Sequence, residues 1–197
     1  QCDWSSDVCS SDLAIDDVQS ATRSRILRGL GVLNRIQNTK HVDDFLASNI
    51  IGRVIHLLLE HDDNNVVDAA AWVLTNLCAM EGARGSDAVW QHLPDMAEQC
   101  RLFLFTRSPV VGASLMMCLA NIAASKTEYC IQMVEDEYHV MCTEYLKSMR
   151  LNVSQRKNAC FLLRNLATVM GAQDAEVILG EMSAIPAIGL NDPSLLA

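Results

Sequence analysis

Aromatic residues are scarce, at 5% of 197 residues, and so are the residues that usually punctuate a chain, with four prolines and nine glycines. Half of the residues are apolar, so the core has to be assembled from aliphatic side chains, and the chain is far too apolar to stay disordered for want of burial. The low proline and glycine content excludes collagen-like and low-complexity chains. Positive charge is the deficient sign: 15 Lys and Arg stand against 24 Asp and Glu, a formal charge of −9. Nucleic-acid binders draw their sequence-independent affinity from Lys and Arg on phosphates, so this balance argues against that class and suits basic partners.

Recognisable catalytic spacing is missing as well. There is no G-x-x-x-x-G-K-[ST], no H-E-x-x-H and no G-x-S-x-G, the patterns that cradle phosphate, hold zinc or present a nucleophilic serine. Five histidines, His41, His56, His61, His92 and His139, are scattered without metal-ligand spacing, so neither a metal nor a cofactor is expected. No apolar run is long enough for a membrane span, since Gly112 to Ala124 is short and Arg53 and His56 interrupt Ile50 to Leu59. No CxxC pair occurs, and most cysteines sit in apolar helical patterns such as NLCAM, MMCLAN and NACFLL, where a thiol packs as a small apolar group. Reduced thiols in a cytoplasmic or nuclear protein follow. Binding, not catalysis, is the expected role.

The first thirteen residues, Gln1 to Leu13, do not read as protein. The run DWSSDVCSSDL (3–13) resembles the translation of a sequencing-library adapter, and such segments are excluded from fold reasoning. Setting it aside removes Asp3, Asp7 and Asp12 and no basic residue, which moves the formal charge from −9 to −6. Cys2, Cys9 and Trp4 go with it, leaving Cys78, Cys100, Cys118, Cys130, Cys142 and Cys160.

What is present is an internal repeat. The segment VVDAAAWVLTNLCA (66–79) returns as VVGASLMMCLANIAA (110–124) and as VSQRKNACFLLRNLA (153–167). Each has an aromatic residue or Met, then three residues, Asn, and Leu or Ile. The anchors Asn76, Asn121 and Asn165 are 45 and 44 residues apart, the period of armadillo and HEAT units, in which two or three helices stack into a superhelix. Between anchors, shorter helical patterns separated by turn signals run over His41 to Ser48, Ile50 to Glu60, Asp87 to His92, Pro94 to Phe105, Glu128 to Glu135 and Tyr138 to Met149. Asp17 to Arg35 reads as the last helix of a preceding unit. The expected architecture is all-α, a right-handed armadillo-repeat superhelical solenoid of residues 14–197. About three complete three-helix repeats, at 38–82, 83–126 and 127–171, are flanked by partial ones at 14–37 and 172–197.

At 100° per residue, Val66, Ala70, Val73, Leu74 and Leu77 form one face of the first long helix. Trp72, Asn76, Asp68 and Thr75 lie opposite. The matching faces are Met117 with Asn121 beside Ser114, and Phe161 with Asn165 beside Asn158, so amides and apolar plates recur one repeat apart. Asparagines in such a row can clamp an extended peptide backbone, and the gaps between plates can take long side chains, Lys and Arg by cation–π contact. The same asparagines can instead satisfy backbone groups at helix ends, and Met117 and Phe161 can equally be core residues.

On AAAWVLTNLCA (69–79) and RKNACFLLRNLA (156–167), and on VDDFLASNIIGRVIHLLLEHDDNNVVDAAAWVLTN (42–76), the chain resembles the importin alpha family of nuclear import adaptors. The resemblance implies a concave groove for extended basic nuclear localisation signals. It assigns the aromatic wall to Trp72 and Phe161, with Met117 where another Trp would stand, and the backbone clamp to Asn76, Asn121, Asn165 and Asn158. It also implies an importin-beta-type carrier as partner, engaged through a segment upstream of the repeats, and residence in cytoplasm and nucleus. Departures from the family pattern are Met117 and Phe161 in place of Trp, Ser125 in place of an acid one turn beyond Asn121, and the added charges of Lys157 and Arg164. The alternative is a divergent armadillo scaffold that binds other protein segments without reading nuclear signals. Since each unit buries its surface only against its neighbours, the partial units are expected to leave apolar faces at both ends. Residues 14–197 should therefore show limited stability or self-association, and urea denaturation with size-exclusion chromatography that together find a sharply two-state monomer would count against missing flanking repeats.

Overall fold

A computed structural model describes residues 21–35, 42–47, 49–80, 82–93, 109–147 and 153–183. All the regular structure among them is helical. The adapter-like residues 1–13, the helix expected over Pro94 to Phe105, Cys100 and the tail 184–197 lie outside the described residues.

The helices follow the repeat. A helix over 21–35 precedes the first unit, which consists of Val42–Ala47, Ile50–Glu60 and Asn64–Cys78. The second unit contributes Arg84–Trp90 and Pro109–Ser125, and the third Thr127–Glu135, Tyr138–Lys147 and Val153–Ala167. Ala172–Ser183 follows. Local chemistry explains the boundaries. Asp63 caps the Asn64–Cys78 helix, its carboxylate accepting the Asn65 backbone N–H at 2.8 Å, and that bond, first among several, holds its pKa below the ordinary value. Arg23 from the preceding helix pairs with the same carboxylate at 2.5 Å. Pro109 takes the first helical position of the next long helix, where its missing N–H costs nothing.

The long third helices, Asn64–Cys78, Pro109–Ser125 and Val153–Ala167, lie side by side and, among the described residues, make the most extensive helix–helix contacts. Small residues permit the close approach: Ala70, Ala71, Ala120 and Ala159 are all buried. Ile51, Val54, Ile55 and Leu58 of the second helix complete the core of the first unit from below, and Met141, Cys142, Tyr145 and Leu146 do so for the third. Aliphatic and sulfur side chains dominate this core, which is why so few aromatics suffice. At Gly85 the first helix of the second unit meets the end of the preceding long helix so closely that a Cβ would collide with the Leu77 carbonyl.

The outer edge is tied separately. Trp90 of the second unit stacks on Tyr129 of the third with ring centroids 4.2 Å apart. The Tyr129 hydroxyl donates to Asp87 at 2.5 Å, and Lys126 pairs with the same carboxylate at 2.6 Å. Burial works to raise the Asp87 pKa, but these two partners bring it below the ordinary carboxylate value. Trp90, with Trp72 one of two tryptophans beyond the adapter-like segment, is thus a joint between units.

Cys78, Cys118, Cys130, Cys142 and Cys160 are free thiols. The Sγ atoms of Cys78 and Cys118 lie 3.7 Å apart in the seam between the first two long helices. The hydrogen bond with Cys78, together with burial, pushes the Cys118 thiol well above its ordinary pKa, and burial does the same at Cys142. Tyr145 is buried, its hydroxyl has no hydrogen-bond partner among the described residues, and burial, then the Cys142 thiol, push its pKa up to about 12. These are acids that are neutral when protonated, with folded-state pKa values above the unfolded ones. The stability they hold is therefore complete below the unfolded pKa and lost as pH rises through the folded one. Urea denaturation should show stability falling above about pH 9, where unfolded thiols and then tyrosines ionise. Tyr145→Phe removes an unsatisfied hydroxyl, so it should gain up to about 1 kcal/mol at pH 7 and lose less than the parent chain at pH 11.

Candidate functional site

The exposed row on the long helices is narrower than a helical wheel suggests. In the first unit Trp72 is 50% exposed, whereas Thr75, placed beside it by the wheel, is 3% exposed. Thr75 faces the next helix, its hydroxyl 2.8 Å from both the Ala71 and Ser114 carbonyls. Ser114, expected on the groove face, is buried in the same seam and donates to Asp68 at 3.1 Å. Stacking covers both flanks of a long helix, which a wheel for an isolated helix divides into only two faces.

The asparagines share one geometry. Asn121 donates its amide N–H to the Thr75 carbonyl at 3.1 Å, Asn158 to Ala113 at 2.9 Å, and Asn165 to Ala120 at 2.9 Å. Each bond reaches back to the long helix of the preceding unit, over 45 or 46 residues. A carbonyl can only accept, so these contacts also fix which way each amide is turned. The ladder therefore joins neighbouring units. One N–H and the oxygen of each half-buried amide take no part in that bond, and among the described residues no hydrogen bond reaches the side-chain oxygens of Asn121, Asn158 and Asn165.

Asn76 begins the same series, donating to the Asn34 side chain at 2.8 Å. Asn34 was not among the residues singled out from sequence. It stands 42 residues before Asn76, but the position four before it is Leu30, a buried residue, where the other anchors have Trp, Met or Phe. The spacing alone was the available signal.

The plates differ from one unit to the next. Trp72 stands open, with Asp68 one turn before it and Asn76 one turn after. Met117 is half-buried and brings no charge. Phe161 is packed against the core on one side. On its other surroundings it is already occupied by cations: Lys157 Nζ lies 5.6 Å and the Arg164 guanidinium carbon 5.3 Å from the ring centroid, within cation–π range. Ser125, in the place of the expected acid, turns its hydroxyl back to the Ile122 carbonyl at 2.7 Å. Among the described residues no cluster of three or more His, Cys, Asp or Glu could hold a metal, and no helix is long and apolar enough to cross a membrane.

Residues 38–79, the first unit, match the family model of the Armadillo/beta-catenin-like repeat. The fold is an armadillo-repeat solenoid. Among solved structures, the chain is similar to a designed armadillo repeat protein determined in complex with the peptide (KR)4, with a TM-score of 0.63, 17% identity and 79% of this chain covered. The chain spans 62% of the length of that designed protein. A comparison with curated protein sequences finds no match.

The armadillo geometry separates two classes of residue on the long helices. Asn165→Ala should lower stability by about 1 kcal/mol, because the Ala120 carbonyl loses its donor in a half-buried seam. Trp72→Ala should change stability by less, its ring being half in solvent. Parallel urea titrations of the two variants check this ordering.

Proposed function

We propose that the armadillo solenoid binds an extended peptide along the row Trp72, Asn76, Met117, Asn121, Asn158, Phe161 and Asn165, and acts as a nuclear import adaptor of importin alpha type. The observation that carries the reading is Trp72. It is a large aromatic surface left half exposed between a carboxylate, Asp68, and an amide, Asn76, and among the described residues it is the one aromatic side chain in an exposed apolar set otherwise made of Val and Ile. An indole face with a nearby acid suits a lysine or arginine side chain, and the spare amide groups suit the backbone on either side of it. The designed armadillo protein of similar fold was determined with an alternating Lys-Arg peptide, which supports a basic ligand for this kind of groove. Under this reading the cargo carries a basic nuclear localisation signal, an importin-beta-type carrier completes the transport complex, and the protein moves between cytoplasm and nucleus.

A second reading is favoured by Phe161. Its ring is flanked by Lys157 and Arg164, which repel the lysines that a basic signal would bring to that end. A scaffold that binds other protein segments, without nuclear-signal recognition, fits this end of the row better.

Binding to a fluorescein-labelled lysine-rich peptide separates the two. The adaptor reading expects salt-sensitive binding that Trp72→Ala weakens at least about tenfold, a loss of about 1.4 kcal/mol, and that Asn76→Ala also weakens. Binding that is indifferent to Trp72→Ala, or absent at low salt, rejects it.

A further inference from the structure

The three plates form a charge gradient. The first unit offers Trp72 with Asp68, the second the neutral Met117, and the third Phe161 with Lys157 and Arg164. Asp68 and Lys157 stand at equivalent places, eight residues before Asn76 and Asn165, so the sign inverts at a matched position across two repeats. Neither Lys157 nor Arg164 has a carboxylate partner among the described residues, where the ion pairs are Arg23 with Asp63, Arg84 with Asp43 and Lys126 with Asp87. Arg164 is exposed and Lys157 half-buried. Two cations held on one small ring repel each other, and an anionic group placed between them relieves that repulsion while making charge-assisted hydrogen bonds to both.

We infer that the groove is bipolar, and that its ligand is an extended peptide carrying a basic side chain at Trp72 and a carboxylate side chain at Phe161. The inference rests on the peptide-groove reading above and specifies its ligand. Complementary charge commits the occupant at each end. At Trp72 the indole and Asp68 select a cation. At Phe161 the ring cannot accept a ligand cation, because both its cationic contacts are intramolecular, and the Arg164 fork presents paired N–H donors to a carboxylate. Adjacent packed helices lie about 10 Å apart, so the two sites are about 20 Å apart, and at about 3.3 Å per residue of extended chain the two charges belong about six residues apart.

Fluorescence anisotropy with the full chain at low salt tests this with three labelled peptides of equal length. One carries lysines only. The second carries one Lys and one Glu six residues apart, made in both sequence orders. The third is the second with Glu replaced by Gln. One order of the Lys/Glu peptide should bind about tenfold tighter than its Gln counterpart and tighter than the lysine-only peptide. Lys157→Glu with Arg164→Glu should invert the ranking, so that the lysine-only peptide binds best, and Arg164→Gln alone should cut the Glu-over-Gln difference to about threefold or less. Circular dichroism confirms that each variant is folded, and the single Gln variant carries the test if the double one is not. If the lysine-only peptide binds best to the parent chain in a Trp72-dependent manner, or Glu and Gln peptides bind alike, the bipolar groove is wrong while the peptide-groove reading stands. If no peptide binds in a Trp72-dependent manner, the peptide-groove reading itself fails, and the bipolar groove with it.

Discussion

Everything in this solenoid hangs on how closely one long helix can lie against the next. The seam between neighbouring third helices is lined by alanine, threonine, serine and cysteine, residues small enough for the backbones to come near. Once near, a carbonyl of one helix comes within reach of an asparagine amide from the next. The amide fixes register as well as distance, because a slide of one residue would point the N–H at a peptide plane instead of an oxygen. Hydrophobic burial, most of it on the long helices themselves, supplies the driving force, but it is indifferent to small shifts along the axis. The directional bonds determine where each plate stands relative to the next, and a groove that reads an extended chain depends on that spacing.

The outer edge obeys a different chemistry for the same purpose. Between the second and third units the joint is the Trp90 and Tyr129 stack with Asp87 and Lys126 around it. The long helices are joined by neutral amides, and the first helices of these two units by an aromatic pair with a carboxylate. Two attachments on different helices of neighbouring units resist hinge motion between them far better than one. The rigidity matters because a pre-ordered row loses less conformational entropy on binding an extended ligand.

Much of this was legible in the residues. The 44-to-45-residue spacing of Asn76, Asn121 and Asn165 gave the unit, and the second-helix patterns at Ile50 to Glu60 and Tyr138 to Met149 fall within a few residues of the observed helices. Thr75 and Ser114 were misplaced on the groove face. A helical wheel distinguishes inside from outside, and a stacked helix has two further sides, each covered by a neighbour one repeat away. Asn34 escaped for a related reason: its companion Leu30 is buried in the core, so the plate-and-amide signature was broken although the amide itself is in place. The inter-unit role of the asparagines could not be read from spacing either, since such a bond and a ligand clamp require the same residue at the same position.

The plates show why a repeat pattern under-determines ligand chemistry. Trp72, Met117 and Phe161 occupy equivalent positions four residues before their asparagines, and equivalence of position invites equivalence of role. Yet the role of a ring depends on what its own helix places one turn away. Asp68 precedes Trp72 at the spacing where Lys157 precedes Phe161, and Arg164 follows Phe161 by three residues where the first unit has Thr75, which is buried in the seam. The electrostatic quadrupole of an aromatic face can attract one cation strongly, but a second one must overcome the repulsion of the first. A ring already flanked by two has exchanged an affinity for cations for a surface that presents them. In the bipolar groove proposed above, two neighbours on the same helix are therefore enough to reverse the sign of what a site would select, with the fold, the amide ladder and the position of the ring all unchanged.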